Sequence, residues 1–393
     1  MDARQLANGG RAGAAVARDV AELITEVLGG RDARVEPGDG WAHTRFTTGD
    51  QGVPLGVDVV ADTRRPPAGI AFLLPGGGLD FDANFFTPRA RNLAHHLRAA
   101  GQLVVGISPR EDLASAADIT ADRGLAAHAR DARSVIDAVT GVLPLPHQFV
   151  GHSAGAVLAL DLASTDTSHR LRRVVALDTT GPYTGDLAVR AAQSRTALQG
   201  LIDRGAYVND PGLKGLLGRA VADPGGASAA PWPPDPAARF TNAGLAHFAL
   251  IRTNHLPGLT NWIYRQGFSA GTYAFGASPA EDRFALAHTP LEVWAEATGA
   301  LGSGLVPNAL LRDLMSVWAA DGTGYAIDWA RIRAEVVWVN MELGRGDHPR
   351  GAELIRAGGN DRVGFRVVAG YGHGDPVWGT TAAADVWPLL TPA

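Results

Sequence analysis

The amino-acid sequence predicts an α/β fold: a mostly parallel central sheet with helices on both faces, interrupted after its sixth strand by a helical segment. Three observations carry that expectation. From Asp82 to Ser164, short and wholly apolar stretches ("QLVVGIS", "QFVG") alternate with helical ones ("FFTPRARNLAHHLRAAG", "LAAHARDARSVIDAVTGVL", "AGAVLALDLAS"), the pattern of strands covered on both faces. The alternation stops after "RRVVALD" (172–178) and resumes at "AEVVWVNME" (334–342). Between them, residues 181–331 offer Pro/Gly loops and helix starts but no clear apolar strand.

Taken in order, residues 13–28 read as an amphipathic helix, with Ala15, Val16, Val20, Leu23, Ile24 and Leu28 at three- and four-residue steps. "WAHTRFTT" (41–48) and "PLGVDVVAD" (54–62) flank the turn-rich "GDQG" as a hairpin, and "AGIAFLLPGGG" (68–78) is an apolar run ended by three glycines. Within the interruption, "SPAE" (278–281) and "TPLE" (289–292) each set a hydroxyl N-cap before proline and glutamate, so reciprocal capping is expected. Leu310, Leu311, Leu314, Met315 and Trp318 form an apolar stripe on one further helix. "GFRVVAGYGHGD" (364–375) and "AAADVWPLL" close the chain. The expected organisation is a sheet core built from 1–180, with an extra N-terminal helix, and 332–393, with 181–331 as a helical cap.

Composition removes several function classes. With 35 basic and 40 acidic residues among 393, a net charge of −5 and Lys214 as the sole lysine, there is no basic stripe for a nucleic acid backbone. The absence of cysteine excludes disulfides, thiolate metal sites and a cysteine nucleophile. No run of 18 apolar residues occurs, and the first 30 residues lack a charged start followed by an apolar stretch, so no transmembrane segment is expected and the location reads as cytoplasmic, with secretion after signal removal left open. Hydrophobic residues make up 46% of the chain, ample for a sizeable core.

The chemistry is expected at Gly151-His152-Ser153-Ala154-Gly155, where a buried strand hands over to a helix. G-x-S-x-G in that context describes a nucleophile elbow, in which a serine sits on a strained turn and the glycines remove side chains that would collide with neighbouring elements. A serine hydroxyl needs a base. His373, after the last strand and among small residues, fits that role; His95, His96 and His128 fall on helices, His247 and His255 in the interruption, and His152 is the variable residue of the elbow. The carboxylate that would orient the imidazole has three candidates: Asp178 at the end of "VVALD", then Glu342 and Asp347 after the next strand. Two oxyanion donors are expected, the N–H of Ala154 and one from the loop holding Gly76, Gly77 and Gly78, with Gly77 before Gly78. That glycine run lacks both G-K-[ST] and G-x-G-x-x-G spacing, which argues against a phosphate cradle.

With elbow, glycine loop, strand-end acid and late histidine together, residues 41–180 and 332–390 resemble the α/β-hydrolase superfamily. "PGGG" resembles the "HGGG" of lipases and esterases, with Pro75 where histidine is usual, and "ALDTTGP" is similar to the acid segment of pancreatic-type lipases and platelet-activating-factor acetylhydrolases; where many members carry "G-x-x-D" after the seventh strand, this chain reads "NMELG". The resemblance implies a serine hydrolase of esterase, lipase or lactonase type, with a catalytic triad, an oxyanion hole, a cap domain in which some of Phe248, Leu256, Leu259, Trp262, Tyr264 and Phe268 roof a mainly apolar pocket, and a small hydrophobic ester or lactone as substrate. It implies no metal and no organic cofactor, and it is compatible with a homodimer. Two other functions fit the same residues: a thioesterase or acyltransferase acting on carrier-bound acyl groups, and a non-hydrolytic binding protein or cyclase.

Overall fold

The computed structural model describes residues 13–49 and 52–391, with only the backbone for 13–19. The N-terminal dozen residues, the middle of "GDQG", and the side chains of Ala15 and Val16 lie outside it. The first helix, α1 (Gly13–Val27), buries Val20 and Ile24 against the sheet.

Among the described residues nine strands form one sheet: β1 (Arg31–Gly38), β2 (Trp41–Thr48), β3 (Leu55–Asp62), β4 (Gly69–Leu74), β5 (Gln102–Ser108), β6 (His147–His152), β7 (Leu171–Leu177), and two later ones, Glu335–Met341 and Val363–Val368, that become β14 and β15. Their order is β1-β2-β3-β5-β4-β6-β7-β14-β15. The pairs β1·β2, β2·β3 and β3·β5 are antiparallel and the rest parallel. Every residue of β4 and β6 is buried, as apolar runs without alternation require. Fully burying a side chain the size of Phe72 contributes about 1.5–3 kcal/mol.

β1 corrects the expected strand count. "RDARVEPG" is charged, almost wholly exposed and paired on one side only, so it carries none of the hydrophobic signal that marks the inner strands; its charges and Pro37 suit a sheet edge. The interruption therefore follows the seventh strand in chain order, not the sixth.

The expected helix "FFTPRARNLAHHLRAAG" is also divided. α2 (Phe81–Phe85) ends before Pro88, and α3 (Leu93–Ala99) starts afresh where Asn92 Oδ1 accepts the His95 N–H at 2.8 Å. α4 (Leu125–Val142) and α5 (Ala154–Ser164) cover the opposite face with α1.

Residues between β7 and β14 hold α6 (Gly185–Asp203), α7 (Leu213–Ala222), α8 (Asn242–Ile251), α9 (Leu291–Ala300) and α10 (Asn308–Ala319), α10 packing along α6. They are not purely helical. Three two-stranded sheets pair β8 (Val208–Asn209) with β13 (Val306–Pro307), β9 (Ala227–Trp232) with β10 (Asp235–Thr241), and β11 (Gly271–Ala274) with β12 (Arg283–Leu286). These strands are short and half exposed, and β9–β10 is rich in proline, so the sequence reads as loop there. Neither capping box forms as expected. "SPAE" makes one 3₁₀ turn without a side-chain cap, and the Thr289 hydroxyl donates to Asp375 Oδ1 at 2.7 Å instead of capping α9.

The inserted elements share the cores of the sheet: Leu310, Leu314, Met315 and Trp318 of α10 join the α1–α4–α5 side, and Leu217, Leu250 and Trp294 join the side of α2 and α3. After β14, α11 (Arg350–Ala357) leads to β15, and three short helical turns between Asp375 and Leu390 end the chain. Among the described residues no helix is long and apolar enough to cross a membrane.

Candidate active site

Ser153 stands between the last residue of β6 and the first of α5, with φ 57° and ψ −118°. A non-glycine residue in that region costs about 1–3 kcal/mol, and the surroundings hold it there: Ser153 N–H donates to Leu177 O at 2.9 Å, and Ser153 O accepts from Ala156 at 3.1 Å. The two motif glycines are required by space. A Cβ on Gly151 would lie 2.1 Å from Gly155 O, and one on Gly155 would lie 2.0 Å from Leu74 O, so α5 could not seat against β4 and β6 with any larger residue.

Asp178 follows β7 directly, fully buried, with φ 46°. Its Oδ1 accepts the main-chain N–H of Met341 at 2.7 Å and of Arg345 at 3.2 Å, and its Oδ2 lies 2.5 Å from His373 Nδ1. Burial pushes the Asp178 carboxyl up to about 6, against the Met341 N–H and the Arg345 charge, which hold it down. Burial, and next the Arg345 charge, keep the His373 imidazole well below its usual value. At neutral pH the pair is therefore carboxylate and neutral imidazole, with Nδ1–H donating to Asp178 and Nε2 unprotonated. Glu342 and Asp347 do not take this place. Glu342 Oε2 accepts the Gly370 N–H at 2.8 Å at the surface, and Asp347 is exposed.

The His373 main chain is fixed independently of its ring. His373 N–H donates to Gly267 O at 3.1 Å and Gly374 N–H to Phe268 O at 2.7 Å, both from the inserted segment. Asp375, fully buried, accepts four bonds: Ser269 Oγ (3.1 Å) and Thr289 Oγ1 (2.7 Å) on Oδ1, Ala270 N (2.7 Å) and Gly372 N (2.8 Å) on Oδ2. Tyr264 and Phe268 place ring centroids 5.0 and 6.2 Å from the imidazole, while Phe248 packs within the insertion against Phe240 and Tyr273, and Trp262 lies on Tyr183. Arg345, almost fully buried, sits with its guanidinium 4.8 Å from the Tyr264 ring and 5.0 Å from that of Trp318. Sequence reasoning passed over Asp375 and Arg345. An aspartate two residues after the candidate base and ahead of proline was the available signal for the first; nothing local marks the second.

The elbow and the His373 loop lie side by side at one rim of the sheet. His152, the residue before the serine, has its ring centroid 4.7 Å from that of His373 and its Nε2 2.9 Å from the His373 carbonyl oxygen. No hydrogen bond joins Ser153 Oγ to the imidazole among the described residues. Such contacts are often long until substrate closes a site.

On the other side of the elbow, Gly76 to Gly78 pass the start of α5. A Cβ at Gly77 would lie 3.8 Å from Ala154 Cβ. Gly76 N–H is committed to Asn84 Oδ1 at 2.8 Å, whereas those of Gly77, Gly78 and Ala154 have no acceptor among the described residues. Gly78, at φ +76°, closes the turn. A cavity of about 40 Å³ opens here, lined by Gly77, Ala154, Leu125, Leu158, Leu305 and Leu310 among others; neither Ser153 nor His373 lines it. Among the described residues no group of three or more histidine and carboxylate side chains is arranged to hold a metal ion.

Comparison with known proteins rests on shape. No family model matches the chain, and no curated protein matches its sequence. Among solved structures, it is similar to a candidate lipase from Sulfolobus solfataricus, with a TM-score of 0.61 and 15% identity over 92% of this chain and 97% of that one. A lipase in an open form aligns with a TM-score of 0.48 and 16% identity over 88% and 95%. The strand order, the elbow after β6 and the first of these similarities define the class: the chain has the α/β-hydrolase fold.

Proposed function

We propose that the chain is a serine hydrolase that cleaves a carboxylic ester or lactone of a hydrophobic substrate through an acyl-enzyme. The observation that carries this reading is the buried Asp178–His373 pair at 2.5 Å, beside a serine held in a strained elbow. Ser153 Oγ attacks the carbonyl carbon as His373 Nε2 takes its proton. Asp178 keeps the Nδ1–H tautomer in place and stabilises the imidazolium that forms. Gly77 and Ala154 N–H groups, free of other acceptors among the described residues, receive the oxyanion, each worth about 3 kcal/mol. His373 then protonates the leaving alkoxide, and water repeats the sequence to release the acid.

In this reading residues 181–331 act as a cap on the core formed by 1–180 and 332–393, and the apolar cavity beside Gly77 takes the acyl chain. Tyr264 and Phe268 shield the imidazole from water. The test is labelling by a fluorophosphonate together with hydrolysis of a series of p-nitrophenyl esters. Wild type should be labelled on Ser153 and turn over the esters, and Ser153→Ala should do neither; turnover that survives in Ser153→Ala would end the assignment. Release of free acid, without transfer to added alcohol or thiol, distinguishes hydrolysis from acyl transfer.

A further inference from the structure

Behind the candidate triad, three buried hydrogen bonds run from the oxyanion loop through the elbow to the His373 loop. Gly76 N–H donates to Asn84 Oδ1 at 2.8 Å, Asn84 Nδ2 lies 3.2 Å from His152 Nδ1, and His152 Nε2 lies 2.9 Å from the main-chain oxygen of His373. Asn84 is fully buried and His152 nearly so. The directions are forced. A carbonyl oxygen only accepts, so Nε2 carries the proton of His152. The ring is neutral, because burial, then the neighbouring His373, push it down to about 3. Its Nδ1 therefore accepts, and although Asn84 Oδ1 is also only 3.3 Å away, the partner must be the Nδ2–H. That leaves Oδ1 for Gly76.

We propose that His152 and Asn84 are positioning residues that fix the spacing between the oxyanion loop and the His373 loop across the nucleophile. The proposal rests on the serine hydrolase reading above and adds two residues to it. Gly77, the candidate donor, directly follows Gly76, so the peptide that Asn84 holds is the one immediately before the peptide that carries the Gly77 N–H. At the other end, the carbonyl that His152 holds belongs to the base itself. His152 is also the residue bonded to Ser153, so one side chain references all three parts to the strained turn. An oxyanion donor must lie within about 2.7–3.1 Å of the developing charge, and a 1 Å displacement can cost about a hundredfold in rate. A leucine at position 152 would fill similar space but would leave the Asn84 amide and the His373 carbonyl without partners.

The experiment compares wild type with His152→Leu, His152→Gln and Asn84→Asp, using a p-nitrophenyl ester, a boronic acid as transition-state analogue and fluorophosphonate labelling. His152→Leu should lower kcat about 10- to 100-fold with KM within about twofold, and should weaken boronic acid binding by the factor lost in kcat/KM. His152→Gln, whose amide can reach the His373 carbonyl, should recover part of that loss. Asn84→Asp keeps an acceptor for Gly76 but removes the donor to Nδ1, and should fall between. In wild type, long-range ¹H–¹⁵N spectra should show a neutral His152 ring protonated on Nε2 from pH 5 to 8. Unchanged kcat in His152→Leu and Asn84→Asp, a loss confined to KM, or an Nδ1-protonated or titrating ring would each overturn the proposal. If His152→Leu fails to fold, Asn84→Asp and the wild-type spectra still decide it. A wild type that fluorophosphonate does not label would sink the hydrolase reading itself, an outcome distinct from labelled wild type with unaffected variants.

Discussion

Two fully buried aspartates flank the His373 loop, and they are held in opposite ways. Asp178 divides its oxygens between a ring and the main chain: one faces the imidazole, the other takes two N–H groups from Met341 and Arg345. Asp375 faces only neutral donors, two hydroxyls and two amides, drawn from the insertion and from its own turn. Burial raises both carboxyls, and the Arg345 charge opposes it at Asp178 while His288 opposes it at Asp375 through space; of the two, it is Asp178 that is hydrogen-bonded to an imidazole. The difference teaches that solvent exclusion alone does not mark a group for chemistry; what marks it is a partner that can exchange a proton.

Variants sharpen this contrast, beginning with the largest effect. Asp178→Asn should lower kcat by about 10³- to 10⁴-fold on p-nitrophenyl esters, because the amide favours the wrong imidazole tautomer, with a much smaller effect on the urea midpoint. Asp375→Asn should invert that balance. It replaces one acceptor oxygen by an NH2 where two donors already point, whichever way the amide turns, and should cost about 3 kcal/mol in urea unfolding, with kcat down by about tenfold or less. If Asp375→Asn proved as inactive as Asp178→Asn at unchanged stability, the distinction between the two would fail.

A subtler effect is expected in the pH profile. Wild-type kcat/KM should be flat near pH 7 and fall as the Asp178–His373 pair takes up a proton, with the carboxyl at about 6. Arg345→Met keeps the main-chain N–H on Asp178 but removes a positive charge that opposes protonation of the pair, so the acid limb should move to higher pH. A limb that stayed put or moved down would show that this charge is not felt at the site. The smallest change is expected for Glu342→Gln, within about twofold of wild type, since the Glu342 side chain bonds the Gly370 amide at the surface, away from the His373 imidazole.

The inner sheet is legible in the sequence because burial on both faces leaves unbroken apolar runs, and the elbow because its two glycines answer to contacts within a few residues or with the adjacent strand. Choosing among Asp178, Glu342 and Asp347 is not legible. All three follow apolar strands, and what separates them is the pairing of β7 with β14, which brings the Met341 amide onto Asp178. Asp375 and Thr289 escape notice for a related reason: the threonine looks like a helix cap, and its actual partner lies 86 positions away. β1 escapes because an exposed edge strand has no apolar face to show.

The two main-chain bonds from Gly267 and Phe268 to the His373 loop bear on how such a molecule can evolve. Excising the insertion would strip those amides of their acceptors and Asp375 of three of its four donors, while also opening both sides of the hydrophobic interior. The insertion is thus contiguous in sequence without being a detachable module: exchanging it wholesale for another would require the His373 loop to be re-anchored at the same moment, whereas piecemeal substitution away from those few stitches would not.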